Sequence, residues 1–264
     1  RNLVLAGNFN LTNVNELFDR LVSFGQFPVE TSDTLTMLEK IGHFLDEENE
    51  ELYRRYKYEG YSKSEATAKI ADALNIKSIL RRSSSDWDGG YVITGLLGHG
   101  DAFVLRDPNG IRPAFYYADD EIVVAASERP VIQTTFNVKA ELVKEIKPGH
   151  ALIIKHQNIL EEVEVKPAGK PTACSFERIY FSRGTDVDIY KERKKLGAII
   201  TPEILREINY DLRNTVFSYI PNTAAVAYQG MVEAVNSFCN QIKSERILAL
   251  GPNINKENLE EIML

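Results

Sequence analysis

The chain has 264 residues, of which 44% are hydrophobic and 26% charged, with a formal net charge of −7. These values are typical of a folded protein with one large domain or two ordinary ones. The negative charge and the lack of a basic stripe argue against a nucleic-acid-binding surface, and no apolar run or signal peptide indicates a membrane segment. The two cysteines, Cys174 and Cys239, suggest a reducing compartment. We therefore expect a cytoplasmic protein without nucleic-acid or membrane partners.

The first 83 residues predict one strand followed by helices. The apolar run at 3–6 leads into Gly7, Asn8, Phe9 and Asn10. These residue types suit a turn with a helix cap, or a site that presents an amide and a backbone N–H to a developing negative charge. Amphipathic stretches with Ser or Asp caps then predict helices over 14–25, 31–60 and 62–80.

Between 90 and about 165 the pattern changes to short strands separated by turn signals. The segments YVITGLLG, AFVLRD, AFYYAD, EIVVAAS and HALIIKHQNILEEVEV predict an antiparallel arrangement. The stretch PAGKPTA at 167–173 is typical of a linker. Beyond it, FERIYFSRG and NTVFSYIPNTAAVAYQGMVEAVNSF predict strand, loop and helix, as at the start of an α/β domain. We therefore place a first domain at 1–170 and a second at 171–264.

Generic catalytic and metal motifs are absent from the sequence. The four histidines, His43, His99, His150 and His156, are scattered and not paired with Cys, Asp or Glu at ligand spacing, so we predict no metal site. The HGD segment at 99–101 and the Asp119-Asp120 pair are expected to form turns. There is no Gly-rich phosphate loop and no nucleophile elbow.

Six less generic motifs occur in order along the chain: NFNLTN, TSDT, RDPNGIRP, ASE, IKPG and CSFERIYFSRGTD. Together they resemble the glutamine amidotransferase domain of the amidophosphoribosyltransferases, class II enzymes of purine synthesis. The resemblance covers about residues 3–200, apart from an insertion-like helical stretch at 45–85. It implies an α+β fold of the N-terminal-nucleophile (Ntn) hydrolase type, an αββα sandwich of two antiparallel sheets. Part of an α/β phosphoribosyltransferase-like domain would follow.

The resemblance assigns catalytic roles to Asn8 and Phe9. In the family, attack on glutamine's amide forms an oxyanion that is held by an Asn side chain and by the backbone N–H of the next residue. These positions match Asn8 and Phe9. The family usually has His-Asn-Gly here, whereas this chain has Gly7-Asn8-Phe9, so the Phe9 side chain is expected to alter the loop or crowd the pocket.

Asp33 matches the family's aspartate that binds the α-amino group of glutamine. A carboxylate suits that task because a charge-assisted hydrogen bond to an ammonium is strong. The alternative is that Asp33 caps the following helix, a task that Ser32 or Thr31 would serve equally well. Leu35 stands where the family has a glutamate.

The family's attacking group is the thiol of an N-terminal cysteine, whereas this sequence begins with Arg1. We expect the nucleophile and several strands to precede residue 1 in a longer protein, and the 264-residue chain to be inactive as a glutaminase. Cys174 matches a cysteine that ligates an iron–sulfur cluster in some members. Such a cluster needs four thiolates, so we predict no cofactor. Mg²⁺ would accompany phosphoribosyl pyrophosphate in the full-length protein.

The resemblance therefore implies the glutaminase portion of an amidophosphoribosyltransferase-like enzyme. Ammonia released from glutamine would pass to C1 of phosphoribosyl pyrophosphate, which makes glutamine and phosphoribosyl pyrophosphate the expected partners, and a homo-oligomer is compatible with the sequence. The alternative is a non-catalytic structural or regulatory homologue that keeps the fold. The changes at Gly7, Phe9, Leu35 and Asn222, the last at a family aspartate, support that alternative.

Overall fold

The computed structural model describes residues 2–156 and 159–263 of the chain. It divides into two compact units, Arg1–Glu177 and Arg178–Leu264. None of the helices in the described ranges combines the length and hydropathy needed to cross a bilayer.

Three of the five α-helices described in the first unit begin at side-chain caps. The five are α1 Val14–Ser23, α2 Asp33–Tyr58, α3 Lys63–Ala73, α4 Ile76–Ser83 and α5 Arg129–Phe136. Ser32 caps α2, Ser62 forms a capping box with Glu65 on α3, and Asn75 caps α4. The single helix predicted over 62–80 is therefore wrong in one respect. Asn75 accepts a hydrogen bond from the Ser78 N–H and starts a new helix, as cap residues do.

Two antiparallel sheets form the centre of the first unit. Their strands are β1 Leu3–Leu11, β2 Gly89–Leu97, β3 Ala102–Arg106, β4 Phe115–Ala118, β5 Val123–Ala126, β6 Lys144–Glu145, β7 His150–Ile154 and β8 Leu160–Glu164. The five-stranded sheet has the order β1-β2-β3-β7-β8 and the three-stranded sheet the order β5-β4-β6. All their pairings are antiparallel. The two-sheet prediction is confirmed, while Gln157 and Asn158, in the last predicted strand segment, lie outside the described residues.

The large sheet is apolar on both faces, as expected for a sheet covered on both sides. One face packs against the helices through residues such as Ile93, Phe103 and Ile153. Alternate residues of the same strands, Val104 and Leu152, join a second cluster with side chains of the smaller sheet. Because successive side chains of a strand point to opposite faces, this pattern explains the layers of helix, sheet and sheet.

The regular elements described in the second unit are all helices. The unit contains α6 Val187–Glu207, α7 Ala225–Leu250 and α8 Lys256–Met263. The strands predicted in FERIYFSRG and around residues 215–220 are wrong. Glu177–Phe181 forms a π-helical turn, and residues 215–220 carry no regular element. An apolar, β-branched run forms a strand only where a neighbouring strand takes its hydrogen bonds, and none is present there among the described residues.

Candidate functional site

Asn8 lies on β1, the outer strand of the large sheet. It is exposed and stands opposite Val92 of β2, a residue that packs against the cluster between the two sheets. The neighbouring Phe9 packs against the helix-side cluster instead. Asn8 and the Phe9 side chain therefore project from opposite faces of the strand.

A chain of polar contacts connects Asn8 to the RDPNGIRP motif. The Asn8 Nδ2 lies 3.5 Å from Glu177 Oε1, at the upper limit for a hydrogen bond. The same carboxylate oxygen accepts a hydrogen bond of 2.6 Å from the Arg112 guanidinium. An amide nitrogen carries two N–H donors, so the Glu177 contact orients the Asn8 side chain and leaves a second donor.

The motif holds its own loop in place through two buried charged residues. The Asp107 carboxylate accepts hydrogen bonds from the backbone N–H groups of Asn109, Ile111 and Arg112. The Arg106 guanidinium donates to the carbonyls of Arg112 and Ile146 at 2.8 and 2.5 Å. These contacts fix the backbone from which Arg112 reaches Glu177, which gives the motif a structural role.

The backbone N–H of Phe9 points to the free edge of β1. The Leu11 N–H is directed away from β2, because it donates to the Asp33 carboxylate, whereas the Asn2 carbonyl faces β2 and accepts from Gly98. N–H groups alternate in direction along a strand, so Phe9 shares the outward direction of Leu11. No described strand pairs with this edge of the sheet.

Asp33 does not cap its own helix. Ser32 accepts the capping hydrogen bond from the Leu35 N–H at 3.3 Å. The Asp33 Oδ2 instead accepts a hydrogen bond of 2.8 Å from the Leu11 N–H on β1. No other hydrogen bond to this carboxylate is formed within the described ranges, so one oxygen is left for a further donor. The alternative that Asp33 caps α2 is therefore wrong. Its carboxylate contacts β1, the strand that carries Asn8 and Phe9.

On the face of β1 that packs against the helices, the small Gly7 lies next to the large Phe9. Gly7 and Phe9 lie two residues apart on that face, and a side chain at Gly7 would meet the Phe9 ring at 3.0 Å and the Val92 carbonyl at 2.3 Å. Phe9 therefore occupies the space that a larger residue at position 7 would need. Because its ring lies on the face opposite Asn8, the expected crowding around Asn8 does not occur.

Burial also determines the protonation state of Tyr91, the cross-strand partner of Phe9. Burial raises the pKa of this phenol, and the nearby Asp107 carboxylate adds to the increase. The phenol is therefore neutral throughout the physiological pH range.

A second polar cluster lies beyond the other end of β2, and the sequence spacing did not indicate it. His99, Asp101 and His156 place ligand-type atoms within 4.8 Å of one another. His99 and Asp101 are in the turn between β2 and β3, as predicted for HGD, and His156 follows β7. The pairing of β3 with β7 brings together residues that are 55 positions apart in the chain.

Comparisons with known proteins agree with the motifs. Residues 61–173 match the family model for class II glutamine amidotransferases, a match that begins after Asn8, Phe9 and Asp33. The amidophosphoribosyltransferase of Archaeoglobus fulgidus is 27% identical over 234 residues, 86% of this chain and 43% of that protein. The enzyme of Pasteurella multocida is 30% identical over 217 residues, 78% of this chain and 38% of that protein.

Solved structures show the same fold. Glutamine phosphoribosylpyrophosphate (PRPP) amidotransferase from B. subtilis aligns with a TM-score of 0.60 at 24% identity, over 89% of this chain and 44% of that one. A structure described as the allosteric regulatory enzyme of purine biosynthesis gives a TM-score of 0.61. The chain spans less than half the length of these proteins. Its sequence and fold are similar to those of the amidophosphoribosyltransferases, and its residues 61–173 match the class II glutamine amidotransferase model.

Proposed function

We propose that this chain is the glutaminase portion of an amidophosphoribosyltransferase-like enzyme, with its glutamine site along the outer edge of β1. Asn8 Nδ2 and the Phe9 N–H would hold the oxyanion, and Asp33 would bind the α-ammonium group of glutamine. The observation that carries the proposal is the Asp33 carboxylate, which accepts from the Leu11 N–H instead of capping α2. In the full-length protein the ammonia would pass to C1 of phosphoribosyl pyrophosphate.

The spacing along β1 supports this arrangement. The N–H groups of Phe9 and Leu11 point the same way and are two residues apart, about 7 Å at about 3.4 Å per residue. A carboxylate anchored at Leu11 therefore lies within the length of one amino acid from an oxyanion at Phe9. Rigid donors suit this position because they face the charge before it forms, a contribution of about 3–4 kcal/mol per donor.

The attacking thiol is the component that these 264 residues do not provide under this proposal. The two cysteines of the sequence are Cys174 and Cys239, and the family chemistry uses an N-terminal one. We therefore expect the chain itself to bind glutamine without releasing ammonia from it. Binding is the activity that tests the site.

The test is calorimetric titration of the 264-residue chain with glutamine, comparing wild type with Asp33→Asn. The substitution keeps an oxygen that can accept from the Leu11 N–H but removes the negative charge that pairs with an ammonium. We expect glutamine binding to weaken by about 10- to 100-fold, the value of a hydrogen bond to a charged group. The unfolding midpoint should stay unchanged.

Asp88→Asn is the matched control, because Asp88 also contacts the end of β1, through Thr12, but lies outside the proposed site. It should bind glutamine as the wild type does. Wild-type affinity in Asp33→Asn, or equal weakening in both variants, would refute the assignment of Asp33.

A non-catalytic homologue is the competing function, and the replacement of the family's His-Asn-Gly by Gly7-Asn8-Phe9 is the observation that favours it. The two functions differ in what an N-terminal cysteine would do. If the protein is an enzyme, a longer form that carries this cysteine should release ammonia from glutamine, and Asn8→Ala should lower kcat by about 100- to 1,000-fold, as for removal of one oxyanion donor. A regulatory homologue would show no ammonia release in either form.

A further inference from the structure

We propose that His99, Asp101 and His156 form a binding site for a divalent transition-metal ion of the zinc type. Two imidazoles and one carboxylate are a common protein ligand set for Zn²⁺, with a solvent molecule completing the coordination. The cluster lies beyond Leu97, at the end of β2 that is farther from Asn8. Val92, the partner of Asn8, and Leu97, at the end of β2, are separated by about 17 Å at about 3.4 Å per residue. The proposal is therefore independent of the glutamine site.

The distances between the ligand atoms suit such an ion. His99 Nε2 lies 3.1 Å from Asp101 Oδ2, and His156 Nδ1 lies 2.7 Å from Asp101 Oδ1. Ligand atoms of a tetrahedral zinc site are about 3.4 Å apart, given bond lengths of about 2.1 Å. The side chains need to separate by less than 1 Å, roughly, to admit the ion.

Two of the ligand atoms, Asp101 Oδ2 and His99 Nε2, are buried side by side, 3.1 Å apart. The Oδ2 pairs with the Lys155 ammonium, whereas the His99 Nε2 makes no hydrogen bond of acceptable geometry among the described residues. Buried polar atoms in native proteins are nearly always satisfied. A metal ion beside the His99 Nε2 would satisfy it.

The charged groups named around the cluster have a net negative charge, which favours binding of a cation. Two carboxylates face His156, Asp101 at its Nδ1 and Asp72 at its Nε2, with 3.1 Å in the latter contact. Lys155 supplies one ammonium, 2.8 Å from Asp101 Oδ2. With neutral imidazoles the group carries a net charge of about −1.

Asp101 already pairs with one cation. Its Oδ2 lies 2.8 Å from the Lys155 Nζ. The Lys155 ammonium also donates to the Leu74 carbonyl at 2.9 Å. It can keep that contact when a metal ion displaces it from Asp101.

An open space lies beside His99. A cavity of about 690 Å³ is lined by His99, Gly98, Leu74 and residues of α2 and α3. Catalytic zinc sites combine three protein ligands with a solvent molecule, whereas structural sites are closed by four protein ligands, so a set of three ligands matches the first kind.

The test is equilibrium dialysis of the 264-residue chain against Zn²⁺, with Co²⁺ absorption as a reporter of the ligand geometry. We expect one ion per chain and visible Co²⁺ bands of a four- or five-coordinate site. His99→Ala and His156→Ala should each weaken Zn²⁺ binding by at least about 100-fold, since even groups that only orient a ligand contribute about 10- to 100-fold. Both variants avoid the buried Asp101, whose loss would disturb folding.

His150→Ala is the matched control, since His150 Nδ1 faces the Pro148 carbonyl and lies outside the cluster. It should bind Zn²⁺ as the wild type does. Lys155→Met should tighten binding by about tenfold or more, because the competing ammonium is removed. Binding of much less than one ion per chain, or wild-type affinity in His99→Ala or His156→Ala, would overturn the proposal. Weaker binding in Lys155→Met would overturn it as well.

Discussion

The two units of the chain hold their helices and strands together by different means. In Arg1–Glu177, the large sheet buries apolar side chains on both faces, against helices on one side and the smaller sheet on the other. In Arg178–Leu264, α6 and α7 meet through glycines. A Cβ at Gly197 would lie 1.8 Å from the Ala227 carbonyl, and one at Gly230 would lie 1.9 Å from the Lys194 carbonyl.

The second unit also leaves large apolar side chains uncovered within the described chain. Val216, Ile220 and Leu248 are 92%, 84% and 79% exposed. Burial of apolar surface contributes about 25 cal/mol per Å², so the first unit draws its stability from side-chain burial. The second depends more on the close fit of two helix backbones. A polar or steric change should therefore destabilise only the unit whose stabilising contacts it removes.

The chain contains a single tryptophan, so the unfolding of the two units can be followed separately. Trp87 is buried in the first unit, so its fluorescence reports unfolding of that unit alone. Hydrogen exchange of the α7 amides reports on the second unit.

The largest effect is expected for Arg106→Met in the first unit. The guanidinium is buried and donates to the carbonyls of Arg112 and Ile146 and to the Glu145 carboxylate. Methionine fills a similar volume but leaves these acceptors unpaired, at about 1–3 kcal/mol each. Urea unfolding followed by Trp87 should show a loss of about 3–5 kcal/mol, with exchange in α7 unchanged.

Arg54→Met is the control for that measurement, because Arg54 pairs with Glu50 on an exposed helix face. Exposed pairs contribute about 0–1 kcal/mol, so its unfolding curve should nearly overlay the wild type. A loss below about 1 kcal/mol in Arg106→Met would show that water replaces the guanidinium without penalty.

A smaller effect, confined to the second unit, is expected for Gly230→Ala. The added methyl group would collide with the Lys194 carbonyl, so α6 and α7 must separate, at about 1–3 kcal/mol for overpacking. Exchange of the α7 amides should accelerate while the Trp87 transition stays in place.

Gly42→Ala tests the same change on α2, where a Cβ at Gly42 meets nothing within 4 Å. Here the better helix propensity of alanine should stabilise the first unit by up to about 1 kcal/mol. Destabilisation by Gly42→Ala, or unchanged exchange in Gly230→Ala, would contradict the account of the helix contact.

The sequence predicted the first unit better than the second for a physical reason. The short apolar runs over 90–165 suit strands that are buried on both faces, as those of the large sheet are, so the pattern and the sheet agree. The apolar run at 215–220 carries a similar signal but has no described neighbour to pair with, and it forms no strand. A local apolar pattern indicates that a segment can form a strand, but the strand forms only where a second strand pairs with it.

The sequence pointed to candidate site residues, whose roles stay predictions, but it did not indicate their contacts. The motif TSDT allowed Asp33 to be a cap or a ligand, and only the approach of α2 to β1 shows that the carboxylate accepts from Leu11. The cluster of His99, Asp101 and His156 gave no signal at all, because β3–β7 pairing joins it. The roles of Asn8 and Phe9 stay predictions drawn from the family resemblance.

The smallest effect concerns pH and the contacts that tie the turn at Asp101 to α3. The hydrogen bond with Asp101 raises the pKa of His156 above its ordinary value, and the contact with Asp72 adds to this increase. Lys155 and His99 are the other titratable groups that face the cluster. Because the folded pKa exceeds that of the unfolded chain, about 6.5, the stabilisation is fully present below that pH. It is lost as pH rises through the raised folded value.

With a chelator present to exclude metal ions, the Trp87 urea midpoint of the wild type should therefore fall from slightly acidic to slightly alkaline pH. His156→Gln should flatten that decline, and Asp72→Asn should reduce it in part. A midpoint that rises over this range, or a decline that His156→Gln leaves intact, would show that the charged imidazole does not stabilise the first unit.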